Sequence, residues 1–398
     1  MFSRRTAWKL TPNRFTEAQR ELAVADREVL DLTISNPTRA SLRYAEESIL
    51  RSLANPKALD YDPQPRGLRS ARRAVAAYYR EQHRELHIDP ESLVLTTSTS
   101  EGYSYVFRLL CNPGDEVMVP KPSYPLLEFL AGLQDVNLVP YPLIYDHGWQ
   151  IDFPSLHKAV TDQTRAIVVV HPNNPTGSYV SDTERSALNK VCREHNLWLI
   201  VDEVFLDYAH DGLPRPTFAA NQDALTFTLS GLSKISGLPQ MKLAWVATSG
   251  PKKKEDKDKN KDEVNTALAR LEVIADTYLS VSAPIQLAAP VLLEQRKSIQ
   301  PQLLNRMRTN LKELDRQLAN QKNCRRLHVE GGWYAVLRVP VTQSDEELAI
   351  NILRKVSVLV HPGHFYDFPN DGYLVLSLIT PTEDFGQGIS RVLALLNS

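Results

Sequence analysis

Residues 167–177 read Ile-Val-Val-Val-His-Pro-Asn-Asn-Pro-Thr-Gly. Four β-branched residues in a row suit a strand buried on both faces, and the prolines and asparagines that follow cannot continue one. The run therefore ends abruptly in a rigid turn. The same grammar recurs on either side, where residues 93–95, 117–119, 197–201, 226–229 and 243–246 are short apolar runs cut off by polar or turn residues. Amphipathic segments of helical period, such as 67–85, lie between them. Apolar strands alternating with helices predict an α/β fold with a mostly parallel central sheet covered by helices. Residues 148–154 read as a loop leading to a helix near 154–160.

Further along, residues 264–320 are predominantly of helical pattern, with interruptions expected near Pro284, Pro290 and Pro301. Strands are expected at 333–339, 358–360 and 373–379 with helices between, a smaller α+β unit. The division expected is a large domain over 45–290 and a small one made of 1–44 with 291–398. The run KKKEDKDKNKDE at 252–263 reads as a solvated mixed-charge loop and is given no binding role.

Composition narrows the function. The chain has 398 residues, 42% hydrophobic and 23% charged, which excludes disordered and fibrous classes. Lysine and arginine total 46 against 47 acidic residues, so the broad basic field of a nucleic-acid or anionic-membrane binder is missing. Three cysteines, Cys111, Cys192 and Cys324, are too few and too scattered for a disulfide framework or a zinc site, and a reducing cytoplasm is the expected compartment. The N-terminal residues have no apolar leader core, and no apolar stretch approaches the roughly 20 residues of a membrane span.

Open α/β sheets bind ligands beyond the carboxyl ends of their strands, so the residues after each apolar run carry the functional reading. After 93–95 comes Thr96-Thr97-Ser98-Thr99-Ser100-Glu101-Gly102, hydroxyls at a helix start, which suit an anion as well as ordinary capping. Asn174 lies in the turn after 167–170. Asp202 ends the run 197–201, where burial demands a cationic or protonated partner. Lys234 follows 226–229 in the small-residue turn Ser230-Gly231-Leu232-Ser233-Lys234; burial lowers a lysine's pKa and makes it a nucleophile toward carbonyls. An anion cradle, an amide, a buried carboxylate and a lysine at the ends of one sheet are the parts needed to hold pyridoxal 5'-phosphate.

With these residues the chain resembles the class I and II aminotransferase family of fold-type I pyridoxal-phosphate enzymes. The most specific segments are HPNNPTG at 171–177, VDEVFLDY at 201–208 and SGLSKISGLPQMKLAW at 230–245. The resemblance implies Lys234 as the catalytic aldimine lysine, Asp202 on the pyridinium nitrogen, Asn174 on the phenolic oxygen, and Tyr124 stacked on the ring. It implies Ser98, Thr99, Ser100, Ser233 and Lys242 around the phosphate, with Tyr61 reaching it across a homodimer interface. On the substrate side it points to Ser35, Arg39 and His364. The implied reaction transfers an amino group from an amino donor to a keto-acid acceptor, with no metal, nucleic acid or membrane involved.

The chain departs from the family pattern at four places. Lys242 stands where an arginine usually meets the phosphate, Gly231 where a serine is common, and Phe205 where a tyrosine supports the phenolic oxygen. Val375, in Gly372-Tyr373-Leu374-Val375-Leu376-Ser377, occupies the place of the arginine that binds the substrate carboxylate. A lyase, decarboxylase or cyclising enzyme of the same fold is therefore an alternative, and a non-catalytic regulator a weaker one.

Overall fold

The computed structural model describes residues 2–24, 28–83, 86–251 and 263–397. Its main sheet has eight strands: Leu93–Thr96 (β1), Glu116–Lys121 (β2), Asn137–Tyr145 (β3), Trp149–Ile151 (β4), Thr164–Val170 (β5), Trp198–Asp202 (β6), Thr226–Gly231 (β7) and Ala244–Ser249 (β8). Their spatial order is β1-β8-β7-β6-β5-β2-β3-β4. The stretch from β7 through β6, β5 and β2 to β3 is parallel. By contrast, β8 runs antiparallel to both β1 and β7, and β4 antiparallel to β3.

Alternate residues of these strands enter different cores, as the two-residue period of a strand requires. Val117, Val119, Ala166, Val168, Ile200, Phe227 and Val246 pack with the Thr99–Leu110 and Glu263–Tyr278 helices. Met118, Ile167, Val169, Leu199 and Val201 pack on the opposite face, with the Asp182–His195 helix. Leu93, Leu95 and Trp245 meet Arg69–Gln82 and Ala283–Glu294 there. Burial on both faces is what made the strands read as continuous apolar runs. The fold is thus an α/β architecture with a mixed, mostly parallel sheet covered by helices.

A second sheet is antiparallel throughout: Arg325–Arg326 (β9), Tyr334–Arg338 (β10), His361–Pro362 (β11) and Tyr373–Ser377 (β12), in the order β9-β10-β12-β11. Its core joins Phe15, Ala18 and Leu32 from the beginning of the chain to Leu303, Leu314, Phe385 and Val392 near its end. A short parallel pairing of Leu30–Asp31 with Val358–Leu359 ties the two ends together.

Three local expectations are corrected. The segment expected as a loop at 148–154 contains β4, because Trp149 and Ile151 alternate inward against β3. Pro290 and Pro301 lie inside the Ala283–Glu294 and Arg296–Leu318 helices without ending them; buried Leu292, Leu293, Ile299 and Leu303 hold those helices against neighbours and offset the lost hydrogen bond. Lys234 lies on a one-turn helix, Leu232–Ile235, not in an open turn. The charged segment at 252–262 lies outside the described residues.

Candidate active site

The carboxyl ends of β1, β5, β6 and β7 open on the same side. Asp202, the last residue of β6, is in register with Val170 of β5 and Leu229 of β7, so three of the segments singled out in the sequence converge there. Asp202 is buried and accepts hydrogen bonds from the Val204 amide at 3.1 Å and the Tyr103 hydroxyl at 3.3 Å. Desolvation pushes its pKa up to about 6 against those bonds and the nearby Lys234 charge. No arginine pairs with it among the described residues.

Lys234 Nζ stands 4.5 Å from the Trp333 ring centroid and 5.4 Å from that of Phe205. It donates to the Ser35 carbonyl at 3.3 Å. Desolvation lowers its pKa to about 8, opposed by Asp202. An amine and a carboxylate whose pKa values are driven toward each other from 10.5 and 3.8 are both tuned to exchange protons near neutrality.

The turn after β5 is built rigidly. Asn173 Nδ2 donates to Pro122 O at 3.0 Å and to Thr176 Oγ1 at 2.9 Å, and Ser123 donates to Asn173 Oδ1 at 3.2 Å. Gly177 has φ +70°, and a methyl group there would come within 2.4 Å of the Gly331 carbonyl oxygen. These bonds lock the turn to the segment carrying Tyr124, whose pKa rises to about 12 from burial with a contribution from Asp202. Asn174 is buried, yet its side-chain oxygen has no partner. Such an orphan carries the penalty of desolvation unless a ligand meets it. His171, by contrast, is structural: Nδ1 accepts from the Val180 amide at 3.0 Å, leaving Nε2 to donate to Pro216 O at 3.1 Å.

Ser98 caps the Thr99–Leu110 helix, its Oγ accepting from the Glu101 amide at 3.2 Å. Glu101 in turn accepts from the Thr97 amide at 2.7 Å and from Ser280 at 2.8 Å, closing the back of the turn. Thr99, Ser100 and Ser233 are half-buried. The remaining predicted residues are not drawn onto Lys234 or Asp202. Lys242 is exposed in a left-handed conformation, Arg39 is exposed, and Tyr61 is 85% exposed. His364 is exposed and packs edge-on to Phe365 at 4.7 Å. Ser35 contributes its carbonyl to Lys234.

The sequence model of the family described as aminotransferase class I and II matches residues 27–383. The chain belongs to the class I and II aminotransferase family. Among curated proteins it is 28% identical over 381 residues to an alanine aminotransferase of Mycobacterium tuberculosis, covering 93% of this chain and 86% of that one. It is 26% identical over 392 residues to the glutamate-pyruvate aminotransferase AlaA of Escherichia coli, covering 96% and 93%. Among solved structures, an alanine aminotransferase from Pyrococcus furiosus shares the fold over the full length of both chains, with a TM-score of 0.86 at 21% identity. The chain is accordingly an aminotransferase enzyme. Among the described residues no helix is long and apolar enough to cross a membrane.

Two departures from the aminotransferase pattern have physical reasons here. A side chain at Gly231 would meet Ala244 Cβ at 2.8 Å and the Leu243 carbonyl oxygen at 3.0 Å, so β7 and β8 pack too closely for a serine. Phe205 lies edge-on to Trp333, with ring centroids 5.3 Å apart, and the two rings form the aromatic wall beside the Lys234 ammonium. Sequence reading missed Tyr103 and Trp333. Tyr103 sits on the buried face of its helix, where a tyrosine is indistinguishable from core; Trp333 directly precedes β10 of the distant second sheet, and no spacing rule connects it to Lys234.

Proposed function

We propose that the chain is a pyridoxal-phosphate-dependent aminotransferase that moves an amino group between an α-amino acid and a keto acid of the alanine, glutamate and pyruvate kind. The observation that carries this is the half-buried Lys234 amine, lowered by desolvation to about 8, near buried Asp202 beyond adjacent strand ends. The names of the two curated relatives supply the substrate class. Among the described residues the groups present fit the cofactor: Asn174 carries a buried amide with an unmet oxygen, Lys234 is the cation near Asp202, and hydroxyls stand at the helix start.

When bound, pyridoxal phosphate supplies an electron sink conjugated to the substrate's Cα. Lys234 is its covalent anchor and, once released, moves the proton from the substrate's Cα. Asp202 keeps the pyridine nitrogen protonated, and Tyr103 keeps Asp202 oriented. Asn174 would hold the ring oxygen through its amide and Tyr124 would hold the ring face. Ser98, Thr99, Ser100, Ser233 and Lys242 surround the phosphate, with Tyr61 supplied by a second copy of the chain in a homodimer. Ser35, Arg39 and His364 would bind the substrate, with Arg39 moving in to serve its carboxylate in place of a residue at 375. The large unit is 45–290 and the small one 1–44 with 291–398. Three free cysteines suit a reducing, cytoplasmic setting.

The test is the visible spectrum of the purified protein with pyridoxal phosphate and a panel of amino donors. Alanine or glutamate should convert the lysine-bound band to that of pyridoxamine phosphate, and Lys234→Ala should abolish the lysine-bound band. Ammonia release without pyridoxamine phosphate would replace transamination with the lyase reading.

A further inference from the structure

Lys234 is the third residue of a helix only four residues long; the Ser236 amide closes it on Leu232 O at 3.1 Å and the Gly237 amide reaches Lys234 O at 3.3 Å, but a single turn holds weakly by itself. The carbonyls there are gripped by side chains from elsewhere. The Tyr208 hydroxyl donates to Lys234 O at 2.5 Å, Gln300 Nε2 to Ile235 O at 3.1 Å, and the Tyr44 hydroxyl to Gly237 O at 2.8 Å. Ile235 O and Gly237 O receive no backbone donor among the described residues.

Gln300 is itself fixed. The same amide nitrogen donates to Asp207 at 2.7 Å, and both Asp207 oxygens accept from the buried Tyr78 hydroxyl at 3.1 Å. Room for another arrangement is small, since a Cβ on Gly237 would meet Ile299 at 2.9 Å and the Tyr44 hydroxyl at 3.2 Å. The grip also has two origins. Tyr208 follows β6 of the main sheet, whereas Gln300 lies on the Arg296–Leu318 helix, which packs into the core of the second sheet.

We propose that Gln300 is a positioning residue for Lys234: with Tyr208 and Tyr44 it sets where the amine stands, and it makes that position depend on how the two parts of the molecule meet. The proposal rests on the reading of Lys234 as the reactive amine. Lys234 Nζ rests against the Trp333 and Phe205 rings at one end and on its gripped backbone at the other, so a shift of that backbone moves the amine, and a displacement of about 1 Å at a reacting group costs up to about 100-fold in rate.

The experiment compares the pyridoxal-phosphate-loaded parent with Gln300→Met, which keeps size and removes the donors, and Tyr208→Phe, which keeps the ring and removes the hydroxyl. Lys312→Ala, exposed on the same helix, is the control. The two test variants should keep the lysine-bound band, shift its pH midpoint by about half a unit or more, and lower kcat about tenfold with KM within about twofold. The control should match the parent. A midpoint and kcat equal to the parent's in both test variants, or a rise in KM alone, overturns the proposal while leaving Lys234 as the anchor. If the parent forms no lysine-bound band, the reading of Lys234 falls and the proposal with it. Should Gln300→Met fail to fold, Tyr208→Phe decides the matter by the same readouts.

Discussion

Replacing Lys234 by methionine is expected to stabilise the protein in the absence of pyridoxal phosphate. Burial lowers the amine from 10.5 to about 8, so the folded state carries the cost of a poorly solvated ammonium. At ~1.4 kcal/mol per pKa unit the ceiling on that cost is ~3 kcal/mol. Lys234 keeps some solvent contact, and its removal leaves Asp202 without a nearby cation, so a gain of ~1–2 kcal/mol is expected at pH 7.5. Below about pH 8 the amine is charged in both states and the whole cost is present. Between about 8 and 10.5 the unfolded chain holds a proton that the folded one has released, so the parent's stability rises with pH and the variant's advantage shrinks. Buried tyrosines such as Tyr79 and Tyr103, whose hydroxyls are raised by desolvation, act in the opposite direction above pH 10 but equally in both proteins. Urea unfolding at pH 7.5, 8.5 and 9.5 should show the gap narrowing steadily. A gap that stays constant, or a variant less stable than the parent at pH 7.5, would refute the assignment of a strained buried amine.

The rate at which pyridoxal phosphate loads should rise with pH up to about 8 and level off, because only the neutral Lys234 amine attacks the aldehyde; stopped-flow absorbance gives the profile. Asn174→Ala should change stability without cofactor by no more than ~1 kcal/mol, since the amide oxygen is already unpaired, yet weaken cofactor retention about tenfold on dialysis. Tyr103→Phe removes a long hydrogen bond to a carboxylate, ~1.5 kcal/mol, and should move the acid limb of kcat/KM, set near pH 6 by Asp202, upward by ~1 unit. Arg39→Ala should raise KM for glutamate and alanine by ~10-fold or more with a smaller change in kcat, whereas an unchanged KM would remove Arg39 from carboxylate binding.

What the sequence made legible was local. The β-branched run ending at Val170 and the apolar run ending at Asp202 identified their strands because burial on both faces leaves no ambiguity of period. The hydroxyl-rich start at Ser98 identified its helix because capping is a property of three adjacent residues. Direction was not legible. β8 carries the same apolar signal as the parallel strands of the sheet, and only its antiparallel pairing on both sides with β1 and β7 reveals that it is reversed. Prolines 290 and 301 misled because the penalty of a missing amide is local while the burial that offsets it is tertiary. Lys234 and Asp202 could be named from sequence, but the groups that tune them could not. Tyr103, Trp333 and Gln300 reach the site from 131, 99 and 66 residues away from Lys234, distances at which no periodicity speaks.

Position 375 shows how the two parts of the molecule share the remaining task. Residues directly opposite on antiparallel strands project from the same face, so Val336, Val375 and His361 form one row across β10, β12 and β11. Val375 is fully buried, and His361 is held below its usual range, to about 4, by desolvation while its Nδ1 meets the Tyr366 hydroxyl at 2.9 Å. The row is therefore neutral at working pH. An arginine in its middle would be a cation enclosed within a neutral, buried row, and taking it out of water would cost stability. Valine avoids that cost, and on the proposed reading the substrate's negative charge is met from another direction. Arg39 is exposed, hydrogen-bonds to no carboxylate among the described residues, and lies four residues from Ser35, whose carbonyl already touches Lys234. On the role proposed for Arg39, carboxylate recognition passes from a rigid sheet to an exposed segment, and the Arg39→Ala measurement of KM tests that transfer.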